Sequence, residues 1–474
     1  MGIFKKKIID EKIEERFILC LDGGGMRGII PSVLLKNLAK LLKEYDDTKP
    51  LYAHFDLIAG TSTGALLALG LSTPPQYLNI KKEEGKDEII TFPLVEQTLL
   101  EKLRKTPKSK QKQPIVITRG CDATHLIDLY KNNGAKIFPP QTRLFGQLIR
   151  DKYRAKPLED FLKSFFGEAK LSQCMVPTMA VSYEIQEGVP YLFKSWDSKD
   201  FYTREAARAT SAAPTYFPPV ILHERETEKR LTLIDGAMVA NNPVVLAYGE
   251  AKKLYPSCKK FHIISISTAS ANFSLGDEEF SGGLMGWIDP SKGAPIQKIY
   301  ASSQMQLADY MAEHNEDIDY TRVDFHVADE KFKLDDTSTH AIAKLEEIGR
   351  IVYEKNEDKI IDYIEKLVKK DDYSHIQPPE LIQREGEKEL KQYENESYII
   401  PEAEESKSVE VETHSKESYS NKNISNTLSF FKKILSTKSD RVNVDESTLL
   451  CDSSSLDKDE ELNELVPLIE NEKK

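Results

Sequence analysis

Cysteine is scarce in this chain, with five in 474 residues. Cys20, Cys121, Cys174, Cys258 and Cys451 stand far apart with no C-x-x-C pair, which excludes a disulfide scaffold and argues against a structural zinc site. A sparse, odd count fits a reducing compartment. Long apolar runs are lacking too. The longest small-and-apolar stretch, 57–71, contains Thr61, Ser62, Thr63 and three glycines. It is too short and too hydroxylated to span a bilayer and reads as a buried helix. The first twenty residues are charged and have no apolar leader core, so no signal peptide is expected. Gly2 would suit myristoylation, but Lys6 stands where that motif wants Ser or Thr. A basic excess is absent as well. The net charge is −12, and residues 371–474, with 25 Asp+Glu against 13 Lys+Arg, carry all of it. Residues 1–370 hold 52 of each sign, a balance that argues against nucleic acid as a partner.

What is present is a repeated unit of strand, glycine turn and helix. Glu15–Leu21 is a strand candidate, Asp22–Gly28 a glycine turn, and Ile29–Tyr45 has helical spacing. Phe55–Ala59, Gly60–Gly64 and Ala65–Leu71 repeat the unit, which predicts a mostly parallel sheet covered by helices. Residues 76–114 interrupt it with charged segments and read as an inserted excursion or lid. Pro114–Thr118 resumes as strand. Gln173–Tyr183 and Val189–Lys194 read as a strand pair, Thr203–Ser211 as a helix, and Leu231–Ile234 as a buried strand. Asn242–Pro243 opens a helix, with Asn as the cap. Phe261–Ser267 is a late strand, and Ala341–Val368 a long amphipathic helical pattern closing the body. From about residue 371 the composition turns to Ser, Glu, Lys and Asn, and the tail reads as disordered. Within it, Ile424, Leu428, Phe431 and Leu435 share a helical face beside Lys432, Lys433 and Lys438. A transient helix is the simpler reading, and a membrane or partner contact the sharper one.

Three motifs carry chemistry. Gly60-Thr61-Ser62-Thr63-Gly64 is the G-x-S-x-G pattern of a nucleophile elbow, which aims Ser62 outward and sets the Thr63 N–H at a helix start. Asp22-Gly23-Gly24-Gly25-Met26-Arg27-Gly28 offers bare N–H groups to an anion, either a phosphate or the oxyanion of acyl transfer. It also satisfies G-x-G-x-x-G, with Glu44, Asp46 and Asp47 roughly 20 residues on, as a dinucleotide site would require. The loop alone leaves both open. Arg27 suits either a phosphate or a structural salt bridge. Asp235-Gly236-Ala237 puts a carboxylate at the end of a buried strand. None of His54, His262, His314, His326, His340, His375 and His414 lies on an evident catalytic loop, which leaves Asp235 as the direct partner of Ser62.

The order and separation of these motifs, with the block Ala206–Pro219 and the glycine-rich stretch bearing Leu284, Met285 and Trp287, resemble the patatin-like phospholipase family, bacterial type, over roughly residues 15–370. The resemblance implies a three-layer α/β/α sandwich and a lipid acyl hydrolase of phospholipase A type. In it Ser62 is the nucleophile, Asp235 the base, Gly24 and Gly25 oxyanion donors, and Arg27 the contact to the head group. Gly23, Gly28, Gly60, Gly64, Gly236 and Ala237 complete the motifs. It implies no metal or other cofactor, a phospholipid membrane surface as partner, and in some bacterial members an activating protein. Ala65 departs from the pattern, since many members have a second glycine there.

The expected organisation is an arm (1–14), a catalytic domain (15–370) and an acidic tail (371–474). Two alternatives stand beside the hydrolase: a nucleotide-binding protein using Gly23–Gly28, and a catalytically idle membrane- or partner-binding scaffold. Candidate membrane contacts are Leu284, Met285 and Trp287, and the cluster Lys102, Arg104, Lys105, Lys108, Lys110 and Lys112. Core packing and a solvated loop are their simpler readings. The expected location is the cytoplasm where the protein is made, peripheral at membranes, with signal-independent export into a host cell, as a virulence effector, the other possibility.

Overall fold

The computed structural model describes residues 14–45, 49–74, 78, 90–91, 116–117, 123–139, 151–225, 227–269, 287, 295–325 and 333–370. The expectations for the arm, most of 76–114, Leu284, Met285, the lysine cluster and the tail lie outside them.

Strand β1 (Glu15–Leu21) is apolar on both faces. Phe17, Leu19 and Leu21 enter one buried cluster, and Ile18 and Cys20 enter another. Successive strand side chains point to opposite faces, so a strand buried on both must be covered on both. Around it runs an eight-stranded sheet. Its strands are β2 (Leu57–Thr61), β5 (Thr178–Glu184), β6 (Val189–Lys194), β7 (Val220–His223), β8 (Arg230–Asp235), β9 (Lys260–Ile266) and β10 (Ile318–Val323). The order is β10-β9-β1-β2-β5-β8-β7, with β6 pairing β5. The pairs from β10 to β5 are parallel, whereas β6, β8 and β7 join antiparallel. The two-residue strands β3 (Ile90–Thr91) and β4 (Val116–Ile117) pair with each other.

Helices α1 (Ile29–Tyr45), α2 (Thr63–Ser72), α3 (Ala123–Ile137), α4 (Ala155–Phe166) and α5 (Thr203–Thr210) cover the first face, with α9 (Thr339–Lys355) and α10 (Glu357–Leu367). The short α6 (Ala237–Ala240) leads into α7 (Val244–Leu254), which covers the second face with α8 (Pro295–Glu313). The architecture is the α/β/α sandwich with a mostly parallel sheet expected from the sequence. No helix among the described residues is long and apolar enough to cross a membrane.

Three local expectations change. The pattern Ala341–Val368 is two helices broken at Asn356, whose Nδ2 donates to Val352 O at 2.9 Å and Asp324 O at 3.1 Å. The helix expected at Asn242–Pro243 begins at Val244, although the Asn242 side chain does accept the Val244 N–H, at 3.1 Å. Helices α3, α4 and α8 and strands β7 and β10 had no expected counterpart. The buried residues of α8 are Pro295, Ser302 and Ala312, and β10 reads Ile-Asp-Tyr-Thr-Arg-Val, so neither shows an apolar period.

Candidate active site

Ser62 joins β2 to α2 at φ 52° and ψ −123°. A non-glycine residue in that region costs about 1–3 kcal/mol and persists only where its surroundings impose it. Here the neighbours are glycines for a steric reason. A Cβ on Gly60 would strike the Gly64 backbone, and one on Gly64 would strike the carbonyl oxygens of Leu21 and Asp22. The strand end, the turn and the helix start therefore approach more closely than side chains permit. The Ser62 N–H donates to Thr210 Oγ1 at 2.9 Å, and Thr210 Oγ1 donates to Val181 O at 2.5 Å. The block Ala206–Pro219 thus braces the elbow from below. Its Arg208 is fastened to Glu159 (3.2 Å) and to Pro218 O (3.1 Å).

Register brings Asp235 to this elbow. Thr61 pairs with Val181 in β5, and Asp235 pairs with Ser182. Residues 62 and 235 therefore reach the same height on either side of β5. Because β8 runs antiparallel to β5, the aspartate enters from the far edge and stops there. Ser62 Oγ donates to Asp235 Oδ2 at 2.6 Å, and the Ala237 N–H donates to Oδ1 at 2.8 Å. Gly236 is pressed against Val181 O, where a Cβ would have no room. Asp235 is 2% exposed and has no ion-pair partner among the described residues. Burial raises its pKa to about 7, against the opposing pull of the Ser62 and Ala237 hydrogen bonds. The carboxyl is thus far more basic than a solvated aspartate.

The glycine loop leaves β1 beside this pair. A Cβ on Gly23 would lie 3.2 Å from Ser62 Cβ. Gly23 is tied to the segment after Asp235: its N–H donates to Asn241 O at 3.2 Å, and Asn241 Nδ2 donates to Gly23 O at 3.3 Å. Gly25 adopts φ +55°, a conformation that glycine takes without strain. Among the described residues the N–H groups of Gly24, Gly25 and Thr63 find no acceptor. Arg27 makes no ion pair among the described residues. Its Nη1 donates to Ala269 O at 3.2 Å, and burial lowers its pKa. Gly28 lies against a contact that the motifs did not reveal: Thr63 Oγ1 is hydrogen-bonded to the Tyr130 hydroxyl of α3. Asp22, ahead of the loop, is gripped by Arg322 of β10 through Nη1–Oδ1 (3.1 Å) and Nη2–Oδ2 (2.6 Å).

The structure therefore gathers Ser62, Thr63, Asp235, Ala237, Arg27 and all the motif glycines at one end of the sheet. Neither His262 nor His314 partners the pair. His262 bonds Asp319 and Glu15 at the opposite end, and His314 bonds Tyr310 O on α8. Glu44 sits at the far end of α1, about 25 Å from the loop by helix rise, so it does not serve as a ribose-binding acid. The residues the motifs missed are Thr210, Asn241, Tyr130 and Arg322. Asn241 adjoins Asn242, which read only as a helix cap, and Thr210 lay inside a recognised block. Tyr130 and Arg322 had no local signal.

Residues 19–248 match the family model described as patatin-like phospholipase. Patatin-like protein 2 of Arabidopsis thaliana is 28% identical over 324 residues, covering 62% of this chain and 70% of its own length. Patatin-like protein 4 of the same plant is 28% identical over 413 residues, covering 79% and 90%. Patatin-17 of Solanum cardiophyllum is 29% identical over 248 residues, covering 50% and 53%. These relatives are plant proteins, whereas the motifs had suggested the bacterial type. Among solved structures, VipD from Legionella pneumophila is similar at a TM-score of 0.31 and 10% identity, over 74% of this chain and 67% of that one. All three motifs lie inside the span, residues 19–248, that is similar to the patatin-like phospholipase family model.

Proposed function

We propose that this chain is a lipid acyl hydrolase that cleaves fatty-acyl esters of glycerophospholipids presented at a membrane surface. The observation that carries the reading is the 2.6 Å hydrogen bond from Ser62 Oγ to a buried aspartate with no cation beside it among the described residues. A carboxylate with a pKa near 7 accepts a serine proton far better than a solvated one. As Oγ attacks the ester carbonyl, the proton passes to Asp235 Oδ2 and the carbonyl π electrons move onto its oxygen. The Gly24, Gly25 and Thr63 N–H groups face that oxyanion. Ser62's own N–H is already given to Thr210 and takes no part. The C–O bond to the glycerol oxygen then breaks, and the alcohol leaves with the proton from Asp235. Water, deprotonated by the same carboxylate, attacks the acyl-serine; the bond from the acyl carbon to Oγ breaks, Oγ takes the proton back from Asp235, and the fatty acid is released. Arg27, without a carboxylate partner among the described residues, faces the lipid phosphate.

The test is fatty-acid release from mixed phospholipid vesicles by the full chain, with and without cell extract to supply an activating protein. Ser62→Ala and Asp235→Asn should each lower the rate by about 10⁴-fold or more while leaving the fold intact. A folded Ser62→Ala chain that releases fatty acid at the wild-type rate would overturn the reading.

A further inference from the structure

The glycine loop is short and local, yet its fastenings come from far along the chain. Asp22 N donates to Ile266 O at 3.1 Å, and Thr268 Oγ1 donates to Gly23 O at 2.7 Å. The Thr268 side chain fills the space against Gly24. Met26 N donates to Leu334 O at 2.8 Å, and Arg27 reaches Ala269 O. All four residues lie beyond position 248, where the family match ends. So does the one charged group among the fastenings, Arg322.

Arg322 forks onto both oxygens of Asp22, a carboxylate 1% exposed immediately before the loop. Its Nη1 also donates to Ser265 Oγ at 2.7 Å, and its Nε faces Asp309 Oδ1 at 3.4 Å. Asp309 in turn accepts from Asn242 Nδ2 at 2.9 Å and from the Tyr320 hydroxyl at 2.5 Å. One guanidinium therefore joins the ends of β1, β9 and β10 to α8. Through Asp309 and Asn242 it reaches the segment whose Asn241 holds Gly23. A planar fork that matches both carboxylate oxygens fixes direction as well as distance, which the point charge of a lysine does not.

We propose that Arg322 is a positioning residue for the glycine loop: by gripping Asp22 it fixes the direction of the Gly24 and Gly25 N–H groups, and so sets turnover rather than affinity. The inference rests on the reading of Ser62 and its oxyanion donors given above. Donors aimed at a developing charge lose much of their effect when they tilt, and a misplacement of about 1 Å costs up to about 10²-fold.

The experiment uses the full chain and a soluble p-nitrophenyl ester, so that vesicle binding plays no part. Arg322→Lys keeps the charge and loses the fork. The pair Asp22→Asn with Arg322→Gln removes both charges, so that no lone buried charge unfolds the protein. Expected in both is a fall in kcat of about 10- to 100-fold with KM within about twofold. Faster amide hydrogen exchange is expected in the peptide spanning 22–28, with that of β5 unchanged. A folded double variant with wild-type kcat and wild-type exchange overturns the proposal, as does a rise in KM at constant kcat. The exchange measurement requires no turnover. A wild-type chain that hydrolyses no ester either alone or with cell extract would sink the hydrolase reading, and exchange in 22–28 would still decide on Arg322.

Discussion

Two aspartates are buried at opposite ends of the same sheet, and their surroundings differ in one respect. Asp56, just before β2, is fully buried. Its Oδ1 faces Arg16 Nη1 at 3.4 Å and Lys370 Nζ at 3.0 Å, and its Oδ2 accepts the Phe17 N–H at 2.8 Å. Asp235, beside the other end of β2, is as dry, but among the described residues it accepts only from a hydroxyl and one N–H. The first carboxylate is paired with cations and fastens Lys370, just beyond α10, to the core. The second has hydrogen bonds but no countercharge among the described residues, so burial leaves it basic. Burial of the same group thus accompanies an ion pair at one end and raised basicity at the other, and the presence of a cation decides which. Asp22 lies between the two cases. Burial raises its pKa to about 6, with Arg322 pulling against that shift.

The largest effect that could break this comparison is on stability. Lys370 is 3% exposed, and Lys370→Met leaves Asp56 with a weaker countercharge. Breaking a buried pair costs about 3–5 kcal/mol, so denaturant unfolding should show a loss of that order with turnover per folded molecule unchanged. A Lys370→Met chain as stable as the wild type would remove the distinction between the two ends.

The next effect is on rate. Asp235 must be ionised to accept the serine proton. With its pKa near 7, kcat/KM should fall about tenfold per unit as pH drops below that value, reaching about 100-fold at pH 5. A rate independent of pH between 5 and 8 would show that the carboxylate is not the base.

The smallest effect is again on stability, with the opposite sign. The folded Asp235 carboxyl keeps its proton up to about pH 7, whereas an unfolded aspartate releases it near pH 3.8. Between those values the folded state binds more protons, so this group's contribution falls as pH rises and is fully lost above about 7. Asp235→Asn has no such loss. Its melting midpoint should therefore gain on the wild type by a few degrees, roughly, between pH 4 and 7 and hold steady above. A gain that grows instead as pH falls would mean that the buried carboxylate stabilises the fold.

Local pattern was enough for the elbow and for the elements that flank the two glycine turns. Strand Glu15–Leu21 and helix Ile29–Tyr45 form over the residues their apolar spacing predicts. Strand β2 runs two residues further than predicted, to Thr61, because the elbow's strain is confined to Ser62. The helix Pro295–Glu313 escaped because its inward positions are small or polar, and the break at Asn356 because a side-chain amide there captures the Val352 carbonyl. Arg27 read equally as a phosphate ligand or a salt-bridge partner, and its contacts are carbonyl oxygens rather than a carboxylate.

The amino-acid sequence by itself determined which groups are available: a serine between glycines, a loop of bare N–H groups, and an aspartate before a glycine. Steric limits on Cβ atoms and the period of apolar side chains act over a few residues, so a linear reading captures them. Only the tertiary structure decided that β8 runs antiparallel and delivers Asp235 level with Ser62, that no cation among the described residues accompanies it, and that Arg322 grips Asp22 from 300 residues away. Register between strands and the countercharge of a buried carboxylate arise when distant segments pack together, and no local pattern of residues encodes them.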